Sequence, residues 1–187
     1  MIASNEDQQR FQIRVVAPTS DDLHSLSAVD YDLDGDLDLY VANGVLGDGG
    51  KNNLHRNNQN GAFADVAASA GVADPSKTIG CAFGDYDGDG DLDLMNVSDF
   101  SGLDLYLNDG KGRFTDITAT LGEDRFSFGM SHALGDFNGD GRLDLYMTGM
   151  GSTTARRLEH LGLGRKGFES IQAARMKMGY GNRLLLG

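Results

Sequence analysis

The sequence is poor in cysteine, in proline and in long apolar runs, and each shortage excludes a class of protein. Cys81 is the only cysteine, so a disulfide framework and a thiolate metal site are excluded. It stands in the segment I-G-C-A-F-G, where we expect a small buried side chain. Only 2 prolines accompany 27 glycines, which is typical of short elements joined by tight turns rather than of a Pro-rich linker. No apolar run approaches the roughly 18 residues of a membrane helix, so no membrane span is expected.

The surplus of negative charge is confined to three short segments. The chain has a formal net charge of −12, from 28 Asp and Glu against 16 Lys and Arg. Residues 30–38, 85–93 and 136–144 (the first, second and third loops) hold thirteen of these acids and one of these bases, so the rest of the chain is neutral. Local acidity of this kind does not indicate a basic partner, and nucleic acid is not expected as a ligand.

The three loops share a nine-residue pattern. They read D-Y-D-L-D-G-D-L-D, D-Y-D-G-D-G-D-L-D and D-F-N-G-D-G-R-L-D, with a glycine at position 6. So many carboxylates on a short loop repel one another unless a cation is held between them. Side-chain oxygens at positions 1, 3, 5 and 9 and the backbone carbonyl at position 7 suit Ca²⁺, whereas Mg²⁺ prefers to keep its waters. The pattern predicts one Ca²⁺ in each of the three loops, and metal-free acidic turns are the alternative.

The candidate ligands follow from those positions. Position 4 is Leu33 in the first loop but glycine in the others, so the first loop is strained if position 4 requires a positive φ. Asn138 leaves the third loop with one carboxylate fewer, although its amide oxygen is a sound ligand. The predicted side-chain ligands are Asp30, Asp32, Asp34, Asp38, Asp85, Asp87, Asp89, Asp93, Asp136, Asn138, Asp140 and Asp144, and the predicted carbonyl ligands are Asp36, Asp91 and Arg142.

The D-x-D-x-D-G pattern also opens an EF-hand loop, but the residues beyond it exclude that motif. An EF-hand needs a bidentate Glu at position 12 and a helix on each side. Position 12 is Val41, Asn96 and Met147 here, each inside a strand-like pattern. The closing carboxylate is instead the aspartate at position 9.

The loops mark an internal repeat of about 50 residues. They begin 55 and 51 residues apart, and two other markers keep the same spacing. Each repeat contains an apolar strand before the loop, another after it, and a hairpin formed by a leucine strand and a phenylalanine strand. Four strands at this period predict an all-β fold of β-propeller blades, with a plain β-sandwich as the alternative. The markers are Leu54, Leu105 and Leu158, and Phe11, Phe63, Phe114 and Phe168.

The same register divides the chain into blades. Residues 1–22 are predicted to hold the last strand of a preceding blade, and residues 177–187 the first strand of a truncated next blade. Between them, residues 23–72, 73–124 and 125–176 are three complete blades of four antiparallel strands. Because propellers usually need at least about four blades to close, we expect an open arc from a longer chain. Residues 64–72 and 171–178 could each form a helical turn.

No catalytic constellation stands out. The four histidines are scattered and none has a zinc spacing, so structural or surface roles are favoured. The motifs G-x-S-x-G, H-E-x-x-H and G-x-x-x-x-G-K-[ST] are absent, and G-L-G-R-K-G at residues 162–167 is interpreted as a turn. Carboxylate pairs for glycoside hydrolysis stay open, but metal ligation accounts for these aspartates better.

The repeats resemble a known family. A-F-G-D-Y-D-G-D-G-D-L-D-L and A-L-G-D-F-N-G-D-G-R-L-D-L resemble FG-GAP/VCBS repeats, the calcium-loop blades also found in integrin α-subunit propellers. More narrowly, L-D-L-Y-V-A-N-G, N-L-H-R-N-N and F-A-D-V-A-A-S-A-G-V are similar to proteins with ASPIC/UnbV domains, of the cartilage-acidic-protein kind. The resemblance implies a seven-bladed propeller in the full protein, structural Ca²⁺ at the loop positions given above, and an extracellular or periplasmic setting. The ASPIC/UnbV segment itself is absent from this sequence, and its first residues do not resemble a signal peptide.

The leading hypothesis is a calcium-stabilised module for extracellular binding or adhesion to a protein or glycan, and not an enzyme. A second hypothesis is the propeller part of a secreted carbohydrate-active enzyme, a lyase or hydrolase. Lectin-type sugar binding differs from the first hypothesis only in the ligand. Fold alone does not choose among them. The expected partners are an unidentified protein or glycan and the rest of the chain's own propeller.

Overall fold

Three antiparallel sheets follow one another along the chain. The first sheet contains β1 (Leu23–Val29), β2 (Asp38–Asn43), β3 (Asn53–Asn57) and β4 (Phe63–Asp65), paired in that order. The second contains β5 (Thr78–Gly84), β6 (Asp93–Ser98), β7 (Gly102–Asn108) and β8 (Phe114–Asp116), again in chain order. The third contains β9 (Gly129–Gly135), β10 (Asp144–Gly149) and β11 (Arg183–Leu185), with β10 in the middle. The computed structural model describes residues 23–44, 50–59, 62–99, 101–151, 156–157, 160–163, 167, 173, 176–179 and 181–187.

The first two sheets confirm the predicted all-β class with four antiparallel strands in each unit. In every sheet, the residue just before the acidic loop pairs with the ninth residue of that loop. The loop therefore closes a hairpin between the first two strands, at the same end of each sheet. The three pairs are Val29 with Asp38, Gly84 with Asp93, and Gly135 with Asp144.

Two short helices follow the fourth strands. The helix α1 (Ala67–Ala70) ends at Gly71, whose φ of 89° suits a residue without a Cβ, and it confirms the helical turn expected in residues 64–72. A 3₁₀ helix at Thr118–Arg125 follows β8 and was not expected from the sequence. In the described part of the chain, no helix has both the length and the apolar character needed to cross a membrane.

The second sheet is buried on both faces. Alternate residues of a strand point to opposite faces, and every residue of β6 is buried. Leu94 belongs to a core cluster with Tyr40 and Leu54 of the first sheet. Met95 belongs to a separate cluster with Met147 of the third sheet. The sheets therefore pack face to face in chain order, as propeller blades do.

The third sheet departs from the predicted strand assignment. We expected residues 177–187 to begin a further blade, but β11 instead pairs with β10, with Leu145 opposite Leu185. The free edge of β10 needs backbone hydrogen-bonding partners, and the backbone of β11 provides them. The predicted leucine strand is replaced by helical conformation at Arg157 and His160. The strands predicted to open at Phe11 and Phe168, and Leu158 itself, lie outside the described residues.

One face of the third sheet is exposed. Tyr146 holds the position in its strand that Tyr40 and Met95 hold in theirs, two residues after the ninth loop residue. Tyr40 and Met95 are 0% and 1% exposed because the next sheet covers them, whereas Tyr146 is 37% exposed. Phe137 and Leu184 are also exposed. Within the described residues, no further sheet covers this face.

Candidate metal centres

The first aspartate of each loop organises the turn. Its carboxylate accepts hydrogen bonds from backbone N–H groups three to five residues later, which satisfies donors that a tight turn would otherwise leave unpaired. The bonds are Asp34 N and Gly35 N to Asp30 (3.0 and 3.1 Å), Gly88 N and Gly90 N to Asp85 (2.8 and 3.2 Å), and Gly139 N, Asp140 N and Gly141 N to Asp136 (2.6, 3.1 and 2.8 Å).

Positions 4 and 6 adopt left-handed backbone conformations in all three loops. The glycines at position 6 have φ values of 94°, 96° and 86°. At position 4, Gly88 and Gly139 have φ values of 80° and 79°, and Leu33 has 57°. The expected strain at Leu33 is confirmed, because an L-residue in this region costs about 1 kcal/mol or more. The first loop therefore keeps the shape of the others in spite of its sequence.

The ninth residue fastens the loop to the adjacent strand. Asp38, Asp93 and Asp144 are 0% exposed. Asp93 Oδ2 accepts from Tyr86 N (2.8 Å) and its Oδ1 accepts from Asn108 N (2.8 Å). Equivalent bonds run from Phe137 N and Gly187 N to Asp144 (2.9 and 3.0 Å), and from Asn57 N to Asp38 (2.7 Å).

The first loop fits a cation. Carboxylate oxygens of Asp30, Asp32 and Asp38 all lie within 4.8 Å of one another. Asp32 Oδ1 and both oxygens of Asp36 are buried without a hydrogen bond. Burial raises the pKa of Asp32, with the nearby Asp34 carboxylate adding to the effect, and burial raises the pKa of Asp38 to about 6. Buried, unpaired carboxylate oxygens are costly, and a divalent cation would give them a partner.

The second loop fits a cation as well. Oxygens of Asp85, Asp87 and Asp89 lie within 4.8 Å of one another. Asp91, at position 7, is 8% exposed, and its Oδ1 is buried without a hydrogen bond. Burial, followed by the charge of Asp89, raises the pKa of Asp91 to about 6. Crowded carboxylates of this kind favour protonation or a bound cation.

The third loop has its own internal cation. Arg142 Nη2 donates to Asp140 Oδ2 at 2.9 Å, and Asn138 Nδ2 donates to the same oxygen at 3.0 Å. The hydrogen bond from Arg142 is the main reason that the pKa of Asp140 is lowered. Within the described residues, the third loop does not bring three acidic groups within 4.8 Å of one another. The loop fits a cation less well than the other two.

Two features of the loops were missed by sequence reasoning. Asp36 and Asp91 were predicted to bind the ion through their backbone carbonyls, yet their side chains also have buried, unpaired oxygens. Asn57 and Asn108 were not singled out, although their backbone N–H groups hold Asp38 and Asp93. A signal was present, because asparagine ends both leucine strands, in N-L-H-R-N and D-L-Y-L-N.

The cysteine and histidines do not form a second centre. Cys81 is 7% exposed, as expected, and its Sγ lies 3.3 Å from Ser27 Oγ. Burial raises the pKa of this thiol, and burial lowers the pKa of His132. In the part of the chain that the structure describes, the groups able to hold a metal consist of aspartates alone.

Comparison with known proteins agrees with this geometry. The model of the FG-GAP-like repeat family matches residues 30–96 and 86–147, which together span all three loops. The chain belongs to the FG-GAP-like repeat family. This FG-GAP chain is also similar to cartilage acidic protein 1 of the mouse, with 31% identity over 130 residues. The alignment covers 65% of the chain and 20% of the relative, so the chain spans about a fifth of that protein's length.

Proposed function

We propose that this FG-GAP repeat chain is a Ca²⁺-binding module in which the ion stabilises the loops that join the first two strands of each sheet. One observation carries the proposal: in the first loop, three carboxylates converge within 4.8 Å, and buried oxygens of Asp32 and Asp36 have no hydrogen-bonding partner. The second loop supports it with its own converging group. We expect the first two loops to bind more tightly than the third, where Arg142 already pairs with Asp140.

The donor chemistry favours Ca²⁺ over other common ions. All candidate side-chain donors in the three loops are carboxylate or amide oxygens, which are hard ligands. Zinc and copper prefer nitrogen or sulfur, and Mg²⁺ binds reluctantly where a cage must replace its waters. Because the cage exists only when the loop is folded, binding adds to the free energy of unfolding.

Thermal unfolding of the chain in Ca²⁺ and in EGTA tests the proposal. At a free Ca²⁺ concentration of about 100 times Kd, each filled loop should contribute about 2.7 kcal/mol, which raises Tm by about 5–10 °C for a chain of this size. Asp87→Ala should remove the contribution of the second loop. Asp124→Ala is the matched control, since Asp124 is an exposed aspartate outside the loops. Identical melting curves in Ca²⁺ and EGTA would disprove the proposal.

We further propose that the module acts outside the cell, in binding or adhesion to a protein or glycan. The similarity to cartilage acidic protein 1 supports this setting, since cartilage is mainly extracellular matrix. Free Ca²⁺ outside cells also reaches the concentrations at which weak oxygen cages fill. The test is binding of the labelled chain to arrays of glycans and matrix proteins, with and without Ca²⁺. Retention of a ligand in Ca²⁺ but not in EGTA supports the role, whereas cleavage of an arrayed glycan would replace it with an enzymatic one.

A further inference from the structure

Asn108 connects the first two loops. It is the last residue of β7 and is 5% exposed. Its backbone N–H donates to Asp93 Oδ1 (2.8 Å), and its side-chain Nδ2 donates to Leu92 O (3.0 Å), so both groups hold the end of the second loop. The same Nδ2 also donates to Tyr31 O at 2.8 Å, in the first loop of the preceding sheet. One amide therefore fixes backbone carbonyls in two separate loops.

The turn that follows Asn108 packs against the first loop. Phe114 stacks on the Tyr31 ring, with 6.0 Å between ring centroids. Gly112 lies so close that an added Cβ would stand 2.8 Å from the Tyr31 ring and 3.1 Å from Asp32 Cβ. Asp32 is one of the three converging carboxylates of the first loop. The second sheet thus restrains the first loop at the residues beside its candidate ligands.

The corresponding residue of the first sheet lacks this connection. Asn57 ends β3, and its N–H holds Asp38 just as that of Asn108 holds Asp93. Its side-chain Nδ2 donates to Leu37 O of its own loop at 3.2 Å. In the third sheet the equivalent donor is the backbone N–H of Gly187, and glycine has no side chain. Among the side-chain hydrogen bonds of the described residues, those of Asn108 alone link the first loop to the second.

We propose that Asn108 couples cation binding in the first two loops, so that an ion in one loop strengthens binding in the other. The inference rests on the proposed Ca²⁺ function. An ion in the second loop orders residues up to Leu92 and Asp93, which holds the Asn108 amide in the position where it fixes Tyr31 O. The first loop then loses less conformational freedom on binding, and the effect is reciprocal. Asn108 acts as a positioning residue and not as a ligand.

Terbium luminescence can report each loop separately in the full chain. Terbium occupies Ca²⁺ sites and emits when a nearby tyrosine is excited, and position 2 is Tyr31 in the first loop and Tyr86 in the second. In a Tyr86→Phe background Tyr31 is the tyrosine left in these two loops, so we expect the first loop to give most of their signal. Asp87→Ala with Asp89→Ala disables the second loop without touching a residue bonded to Asn108. The measured quantity is the terbium affinity of the first loop with the second loop intact and disabled.

We expect disabling the second loop to weaken terbium binding in the first loop about fivefold or more. In an Asn108→Ala background the same change should leave the first-loop affinity as it was. Asn57→Ala is the matched control, and it should keep the coupling because its amide stays within one loop. Asn108→Ser gives a second variant if Asn108→Ala unfolds, since its hydroxyl is too short to reach both carbonyls.

Two results would overturn the coupling while leaving the Ca²⁺ function intact. One is a first-loop affinity that does not depend on the second loop, and the other is coupling that persists in both Asn108 variants. Absence of any terbium or Ca²⁺ binding would instead refute the proposed function, and the coupling with it. The difference between backgrounds separates coupling from general destabilisation, because a merely weakened fold lowers affinity whether or not the second loop can bind.

Discussion

Asp104 shows how one buried acid can make the fold depend on pH. It is 7% exposed, and its Oδ1 accepts from Arg125 Nη1 at 3.1 Å. Burial, followed by the charge of Asp74, raises its pKa to about 7 in spite of Arg125. The unfolded chain has an ordinary aspartate pKa of about 3.9. Between these two values the folded state binds a proton that the unfolded state does not, so the free energy of unfolding should fall as pH rises from about 4 to about 7.

Asp104→Asn should flatten this dependence, because an amide of the same size takes up no proton. The slope should change by at most about 1.4 kcal/mol per pH unit. Urea unfolding of both proteins at several pH values, at one fixed Ca²⁺ concentration, measures the difference. Asp124→Asn, an exposed aspartate, is the control and should follow the parent chain. Equal slopes for the parent and Asp104→Asn would contradict the prediction.

Position 102 requires glycine because a distant segment of backbone passes close to it. The φ of Gly102 is 87°, and an added Cβ would lie 1.9 Å from Arg125 O. Gly162 also has a positive φ, 63°, but a Cβ there would meet nothing within 4 Å. Gly162→Ala should therefore cost about 1 kcal/mol for the backbone conformation alone. Gly102→Ala should cost several times as much, about 3–5 kcal/mol, because backbone must also move. If the two variants lost similar amounts of unfolding free energy in urea, the clash at position 102 would have been relieved.

At the scale of elements, the third loop differs from the others through Arg142. Its guanidinium pairs with Asp140 at the position where a cation would take an oxygen ligand. Arg142→Ala removes this competitor while keeping the backbone carbonyl at position 7. Because an exposed ion pair is weak, removing this competitor should raise the cation affinity of the third loop by no more than about fivefold. Calorimetric titration in a chain whose first two loops are disabled measures it, and an unchanged or lower affinity would show that Arg142 does not compete.

The elements divide into those that local sequence determines and those that it does not. The loops and their flanking strands follow from aspartate spacing and from the alternation of apolar residues, which are local features. The strands that lie where the sequence predicts them are β1, β2, β5, β6, β9 and β10. The place of β11 depends on the free edge of β10, more than thirty residues away, so the resemblance of its sequence to a first strand was misleading. The hydrogen bond from Asn108 to Tyr31 was missed for the same reason, since the two residues are 77 apart in sequence.

At the scale of the whole molecule, sheets packed in chain order require that acidic loops lie on neighbouring elements. Each loop closes the same hairpin, so the packing that buries Leu94 and Met95 on opposite faces of β6 also brings the first loop against the second sheet. The packing of repeated sheets thus forms the core and also connects the candidate sites. Whether the exposed face at Tyr146 meets a further blade in a seven-bladed ring stays a prediction.

The net charge of −12 equals the charge of the three loops, so repulsion within them should make stability depend on salt when Ca²⁺ is absent. In each of the first two loops, oxygens of three carboxylates lie within 4.8 Å of one another. The Debye length falls from about 10 Å at 0.1 M salt to about 3 Å at 1 M, so added salt weakens the repulsion between them. In EGTA, raising tetramethylammonium chloride over that range should therefore increase Tm by several degrees. This cation is too large to enter the cage, so the effect reports screening. In Ca²⁺ the same salt should raise Tm less, because bound ions already neutralise the carboxylates. Equal salt responses in EGTA and Ca²⁺ would show that repulsion in the loops does not limit stability.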